Sequence, residues 1–508
     1  MALDKDLVAI QEVRDLLNAA HLAQQEFEGF SQEQVDRVVD AMAHAAQREI
    51  EAVSRLAVEE TGMGVYEDKV VKTRFAAETI YEYIRPLRTV GELSDNPETG
   101  VVEIAQPMGV VAAIIPTTNP TSTAIYKILI SLKARNAIVI SPHPRAKRCI
   151  QRCAEIMTEA ARGAGAPEGL IACLSSPTLE STQALMSHPR TGVILATGGS
   201  GLVRAAYSSG KPAFGVGPGN VPAYIDRTAD VAQATHDILT GTAFDNGTIC
   251  ASEQAAVVDS VVEQEAIQGF EAVGGYFLND EEKGRLERFA CRPGAKLNSE
   301  IAGQHAQWIA QRAGITVPAQ TRLLIARLDK VGREEPLSIE KLSPIIGFYT
   351  VRDWVEGCER CMELLRFGGM GHTLAIHAGD DSIIREFGLK KPAFRIVVNS
   401  PSTFGSIGYS TGLVPAMTLG CGAVGGNITG DNVSPLHLIN VKRLAYGRRK
   451  VELPPRASEG GVGRAYALHE TQRGETSVPA GKTSGHTLSE SDVQRIVDDF
   501  LEKRKSGA

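Results

Sequence analysis

Cysteine is sparse in this chain. Eight residues scattered over 508 make no disulfide framework, so a reducing cytoplasm is the expected setting. No stretch of about 18 uncharged apolar residues is present to form a membrane span. The start, MALDKDLVAIQEVRD, has acidic residues and helical spacing where a secretory leader would carry a cationic segment and an apolar run. A basic surplus is also missing: the formal net charge is −7, so neither nucleic acid nor a membrane surface is an expected partner. Metal-ligand spacing is nearly absent. Cys358 and Cys361 form a CERC pair, but no second pair or suitably spaced histidines accompany it, so no metal is expected. Both fall in a helical pattern, as do Cys149 and Cys153 four residues apart, and all four read as core.

What is present fits a soluble globular protein of two or three domains, with 43% hydrophobic and 22% charged residues. The first 90 residues read as helix, with Val35, Val38, Val39 and Met42 repeating along one face. VVEIAQPMGVVAAIIP reads instead as two successive strands. NAIVISP and GVILATGG then read as strands; AKRCIQRCAEIMTEAARGAGAP and SGLVRAAYSSG read as helices; KPAFGVGPGNVPAYID reads as glycine-broken strand and turn. That alternation predicts a parallel, doubly wound sheet. The pattern restarts after about residue 241, with QAAVVD, RLLIARL, IIGFYT, HTLAIHA and RIVVN as strands and VRDWVEGCERCMELLRF as a helix. A second α/β domain is the economical reading. LHLINVKRLAYGRRKVEL then alternates like a strand leaving its domain to pair elsewhere.

Residues 453–486 are rich in Gly, Ser, Thr and Pro and read as a linker. Beyond it, LSESDVQRIVDDFLEKRK is a short amphipathic helix with Val493, Ile496, Val497, Phe500 and Leu501 on one face. Such a helix is marginal alone in water. It either folds back on its own domain or serves as a tethered recognition tag, and the long linker favours the tag.

Three stretches carry candidate chemistry. TGGSG, Thr197 to Gly201, lies between a strand and a helix, where glycines let the backbone meet a phosphate at the helix N-terminus. A plain tight turn is its alternative. GVGPGN, from Gly215 through Gly217 to Asn220, is a second glycine-rich turn. In FDNGTIC, Cys250 follows a Gly-Thr turn and precedes a polar run, outside any apolar periodic face. If that turn leads into a helix, the helix dipole would favour a thiolate. Position alone leaves a small buried hydrophobe and a nucleophile both open.

Taken together, IIPTTNPTSTAIYK, VISPHPRAKRC, ATGGSG, GVGPGNVPAYID, FDNGTICASEQ, EKLSPIIGFY, GMGHTLAIH and CGAVGGNITGDNVSPLHLINVKRLAYG resemble the aldehyde dehydrogenase superfamily. Within it they are most similar to the coenzyme A-acylating branch. The resemblance runs from about residue 20 to 450. It implies an α/β fold with a Rossmann-like NAD-binding domain (1–97 and 111–241), an α/β catalytic domain (242–430) and a β oligomerisation arm (98–110 and 431–452). By resemblance Cys250 is the nucleophile that attacks an aldehyde and ends as a thioester. Asn119 holds the oxyanion together with the Cys250 backbone N–H. Glu340 holds the nicotinamide ribose, and Thr197, Gly198 and Gly199 meet the pyrophosphate.

Two departures from the hydrolytic members carry information. Gly215 stands where those enzymes place the glutamate that activates water, which leaves the thiol of coenzyme A as the acceptor. Ser141 and Pro142, in SPHP, open a turn that has lost the Lys and Glu used for the adenosine ribose. Losing the acid removes a barrier to a 2′-phosphate and leaves NADP open through Arg145 or Lys147, but acylating relatives with this turn mostly use NAD, so the resemblance implies NAD. His372 is shared with the acylating branch; a substrate or CoA contact and a structural imidazole are both open readings. The tail 487–508 resembles the encapsulation peptides of bacterial microcompartment enzymes, implying a shell-protein partner and a microcompartment lumen. The reading is a homo-oligomer, dimer or tetramer, that converts a small aldehyde to its acyl-CoA. The aldehyde is not legible in the sequence: acetaldehyde, propionaldehyde, lactaldehyde and a charged one such as sulfoacetaldehyde all fit. The alternatives are a hydrolytic enzyme on the same fold and an idle cargo protein.

Overall fold

Helices open the chain as their periodicity predicts: Lys5–Glu28, Gln32–Arg48, Ile50–Thr61 and Tyr66–Arg74. The second starts in a reciprocal cap, with Ser31 Oγ accepting from Gln34 N and Gln34 Oε1 accepting from Ser31 N. Its buried face carries Val35, Val38, Val39 and Met42. The computed structural model describes residues 4–451 apart from 293 and 295. The expected linker at 453–486 and tail helix at 487–508 lie outside the described residues. No described helix is long and apolar enough to cross a membrane.

Residues up to Tyr446 form one compact unit built on two parallel sheets. The first sheet orders its strands Ile171–Cys173, Ala137–Pro142, Val110–Ile115, Thr191–Thr197 and Ala213–Val216. Its chain-order reversal lies between Val110–Ile115 and Thr191–Thr197. In such a sheet a crevice opens at that point, beyond the carboxyl ends of the strands. The second sheet runs Gly275–Phe277, Leu323–Arg327, Ile345–Val351, Glu253–Asp259, Val221–Ile225, Leu374–His377 and Ile396–Val398, all parallel.

Two boundaries differ from expectation. Val221–Ile225, expected in the first domain, pairs with Glu253–Asp259 and Leu374–His377 in the second sheet. The preceding Gly-Pro-Gly-Asn turn separates two equally apolar strands, and periodicity alone cannot say which sheet each joins. The β arm also starts earlier than residue 98. Gly91–Asn96 pairs antiparallel with Val101–Pro107, which pairs in turn with Ile439–Ala445. Gly91–Asn96 is almost wholly exposed, so it lacks the alternation that marks a half-buried strand.

Between the sheets' contributions runs the helix Pro120–Lys133, buried at every residue. Its lysines reach backbone oxygens: Lys127 Nζ donates to Ile114 O and Leu195 O, each at 2.9 Å. This ties the helix across the two strands that flank the crevice. Cys149 and Cys153 are buried on Lys147–Gly163, and Cys358 and Cys361 on Trp354–Phe367, as core packing requires. All eight cysteines are free.

Candidate active site

A cavity of about 550 Å³ occupies the crevice of the first sheet. Its lining includes Asn119, Ser141, Pro142, Thr197, Gly198, Gly199, Gly217, Cys250 and Glu340, so nine of the eleven candidate residues come together. Gly215 and His372 do not line it.

Asn119 immediately precedes the buried helix, and Pro120 fills its first position, where a missing N–H costs nothing. The Asn119 amide is held at both ends. Nδ2 donates to Thr248 O at 3.1 Å and to Thr118 Oγ1 at 3.2 Å, while Oδ1 accepts from Lys72 Nζ at 2.6 Å.

Cys250 follows a tight left-handed run: Asp245, Asn246 and Gly247 have φ of 49°, 53° and 70°. Left-handed backbone costs on the order of 1–3 kcal/mol for a non-glycine residue unless its surroundings fix it. Here they do. Asp245 accepts from Val65 N at 2.8 Å, Lys69 Nζ at 2.7 Å and Thr248 Oγ1 at 2.5 Å, and also pairs with Lys72. A Cβ on Gly247 would stand 2.9 Å from the Ser343 backbone, so this position also excludes a side chain.

No helix follows Cys250; the strand Glu253–Asp259 does. No helix dipole therefore acts on the sulfur from that side. Burial pushes the thiol up to about 12, reinforced by the Glu340 carboxylate and opposed by Arg395. The condition for a lowered thiol is therefore not met: burial and a nearby carboxylate outweigh the cation. Glu340 Oε1 accepts from Gly219 N at 3.1 Å, and burial raises its carboxyl to about 7.

Toward the other end of the cavity, Gly199 precedes the helix Ser200–Tyr207. The Thr197 hydroxyl is buried and finds no partner among the described residues. Space stands open where a Cβ would project from Gly199 and from Gly217. An unpaired hydroxyl, a helix N-terminus and open glycine backbone along one wall suit a dinucleotide pyrophosphate. Ser141 Oγ meets Thr182 Oγ1 at 2.8 Å, and Leu179, which like Thr182 belongs to the helix Leu179–Ser187, adds an apolar side chain to the lining. No motif in the sequence announced Thr182 or Leu179.

Gly215 packs away from the cavity. A Cβ there would meet Val203 Cγ1 at 2.8 Å and the Tyr207 ring at 2.9 Å. Tyr207 Oη accepts from Gly215 N at 3.0 Å. His372 is fully buried, its Nδ1 2.9 Å from Thr373 Oγ1 and its Nε2 without a described partner. Burial, with Arg395 adding, holds the imidazole down at about 3, so it is neutral. The ring reaches Gly219, where a Cβ would stand 3.2 Å from His372 Cγ and 2.1 Å from Cys250 O.

Lys69, Lys72 and Arg395 lie outside the cavity lining, and sequence reading missed them: Lys72 bonds Asn119, Lys69 shares Asp245 with it, and Arg395 acts on Cys250 by its charge. A buried lysine has no periodic signature; the i, i+3 pairing of the two lysines on Tyr66–Arg74 was the one available signal.

Comparison with known proteins agrees with this architecture. The model of the aldehyde dehydrogenase family matches residues 7–273. An aldehyde-alcohol dehydrogenase of Streptococcus pneumoniae serotype 4 is 47% identical over 404 residues, covering 78% of this chain and 45% of that protein. This chain thus spans about half the length of the aldehyde-alcohol dehydrogenases it matches. The crystal structure of an acetylating aldehyde dehydrogenase from Geobacillus thermoglucosidasius superposes with a TM-score of 0.88 at 50% identity, covering 89% of this chain and all of that one. A propionaldehyde dehydrogenase of Rhodopseudomonas palustris, solved with bound CoA and an acylated cysteine, gives 0.77 at 28% identity over 85% and 97% of the two chains. With two parallel sheets, a cysteine and an asparagine amide at the crevice, and a family match across more than half its length, the chain belongs to the aldehyde dehydrogenase family and resembles its acylating members.

Proposed function

We propose that this protein oxidises a small aldehyde, reversibly, to its acyl-CoA through a thioester on Cys250. The observation that carries the reading is the lining of the cavity. Cys250 and Asn119 face one space whose single carboxylate, among the described lining residues, is Glu340. Thr197, Gly198 and Gly199 hold the pyrophosphate of NAD or NADP, Ser141, Pro142 and Gly217 line its path, and Glu340 takes a ribose. Bound there, the dinucleotide supplies the hydride acceptor. Cys250 Sγ adds to the aldehyde carbonyl carbon, and Asn119 Nδ2 with the Cys250 backbone N–H takes the charge developing on oxygen. Because burial holds the resting thiol high, Cys250 is protonated at neutral pH, and as the C–S bond forms its proton passes to the carbonyl oxygen to give the thiohemiacetal.

The acceptor is read from the residue type at Gly215. The hydrolytic members' base would stand at that position, and here Val203 and Tyr207 fill the space that its side chain would need. Without a base to activate water, the thioester awaits a thiol, and coenzyme A supplies one. The test is product analysis with and without CoA. Acyl-CoA formation that requires CoA and vanishes in Cys250→Ala is expected; turnover of comparable rate without CoA would overturn it.

The arm suits self-association. Ile439–Ala445 is an edge strand of its three-stranded sheet, and Leu444 and Tyr446 beside it are exposed. We assign it to pairing between copies, as dimer or tetramer, checked by light scattering. The tail 487–508 is assigned to a microcompartment shell protein on its amphipathic sequence. Deleting it should abolish co-purification with shell protein and leave activity intact.

A further inference from the structure

Lys72 lies outside the cavity lining, yet it controls what that lining presents. A primary amide has one end that accepts and one that donates, and a half-turn about its last torsion exchanges them. An oxyanion is stabilised by the donor end and repelled by the acceptor end. At Asn119 the exchange is blocked on two sides. Turned over, Nδ2 would face Lys72 Nζ at about the 2.6 Å that now separates Nζ from Oδ1, and Oδ1 would face the Thr248 carbonyl. With Lys72 protonated, both contacts would be repulsive.

Lys72 has little freedom of its own. Its side chain is 2% exposed, paired with Asp245, and 3.1 Å from Thr248 Oγ1. Lys69, one turn earlier, takes the same carboxylate and donates to Thr118 O at 2.8 Å. Asp68 closes the group by accepting from Asp245 N at 2.7 Å. One carboxylate, Asp245, thereby connects the segment bearing Asn119 to the turn bearing Cys250.

We infer that Lys72 is a positioning residue. Anchored by Asp245, it fixes the Asn119 amide with its donor end toward the oxyanion site. The N–H now shared with Thr118 Oγ1 is the one the oxyanion takes over. The inference rests on the assignment of Asn119 to the oxyanion.

The test is a kinetic double-mutant cycle of Lys72→Met and Asn119→Ala, read by aldehyde-dependent NADH formation in the presence of CoA. Lys72→Met should lower kcat about tenfold to a hundredfold, below the full loss of an oxyanion donor, with KM nearly unchanged. Added to Asn119→Ala, it should cost less than about twofold more, since the residue acts only through the amide. Alkylation of Cys250 by iodoacetamide, which forms no oxyanion, should keep its rate. Lys72→Gln, whose amide N–H can meet Oδ1, should recover most of kcat; it also carries the test if the Met variant does not fold. Losses that multiply in the double variant, alkylation that slows in parallel with kcat, or an unchanged kcat would each overturn the inference. If Asn119→Ala itself leaves kcat unchanged, the assignment of Asn119 fails first.

Discussion

Two buried cationic sites lie near Cys250, and they are built on opposite plans. Lys69 and Lys72 share the carboxylate of Asp245. Arg395, 2% exposed, has no carboxylate at ion-pair distance among the described residues. It donates instead to His372 O at 2.7 Å, Gly430 O at 3.1 Å, Asn432 Oδ1 at 3.3 Å and Gly420 O. The difference explains the choice of side chain. A lysine yields its proton when desolvated: burial, with Lys69 adding, lowers Lys72 to about 7 despite Asp245. An unpaired site therefore calls for guanidinium, which stays protonated and offers five donors to a ring of carbonyls. A paired charge serves as a local clamp. An unpaired one projects its field, and Arg395 favours the Cys250 thiolate, though less strongly than burial opposes it.

The largest expected effect comes from breaking the clamp. Asp245→Asn leaves two buried lysines without their counter-ion and should cost about 3–5 kcal/mol of stability in urea unfolding. A cost under about 1 kcal/mol would mean the pair is no anchor. Next comes Arg395→Met, which orphans several buried carbonyls and should cost about 1–3 kcal/mol. The Met variant should also raise the pH midpoint of Cys250 alkylation, whereas Arg395→Lys, keeping a cation, should move it less. Equal midpoints in both would dismiss a field effect.

The remaining test separates the two cations by pH dependence. Lys72 has a folded value near 7, below that of an unfolded lysine at about 10.4. Between those values the unfolded chain binds more protons, so this group makes stability rise with pH, by at most about 1.4 kcal/mol per unit. Below pH 7 the full penalty for its burial as a cation is present. Lys72→Met should remove this upward slope from unfolding free energies measured between pH 7 and 10. Arg395→Met should leave it in place, since a guanidinium does not titrate in that window.

The sequence made most strands and helices legible, because apolar period and glycine punctuation are local. Cys250 and the glycine turn at Thr197 were legible for the same reason: their chemistry is carried by residue type in a short motif. What was misread or left open depended on partners distant in the chain. Val221–Ile225 has the same apolar pattern whichever sheet it joins. Whether a helix or a strand follows Cys250 was open; the strand Glu253–Asp259 that follows is defined by its neighbours Val221–Ile225 and Ile345–Val351.

By itself the sequence determined the family and the fold class, and it singled out Cys250 as the candidate nucleophile and Gly215 as the place where a base is lacking. Only the tertiary structure decided the electrostatics around them. The clamp on Asn119 joins residues 72, 119, 245 and 248, and the thiol's resting state follows first from burial and then from a carboxylate at 340 and a cation at 395. Gly215 shows both layers. Its residue type leaves no carboxylate there, and the structure sets Val203 Cγ1 and the Tyr207 ring within 2.9 Å of where a Cβ would project, so a larger residue would force them to shift.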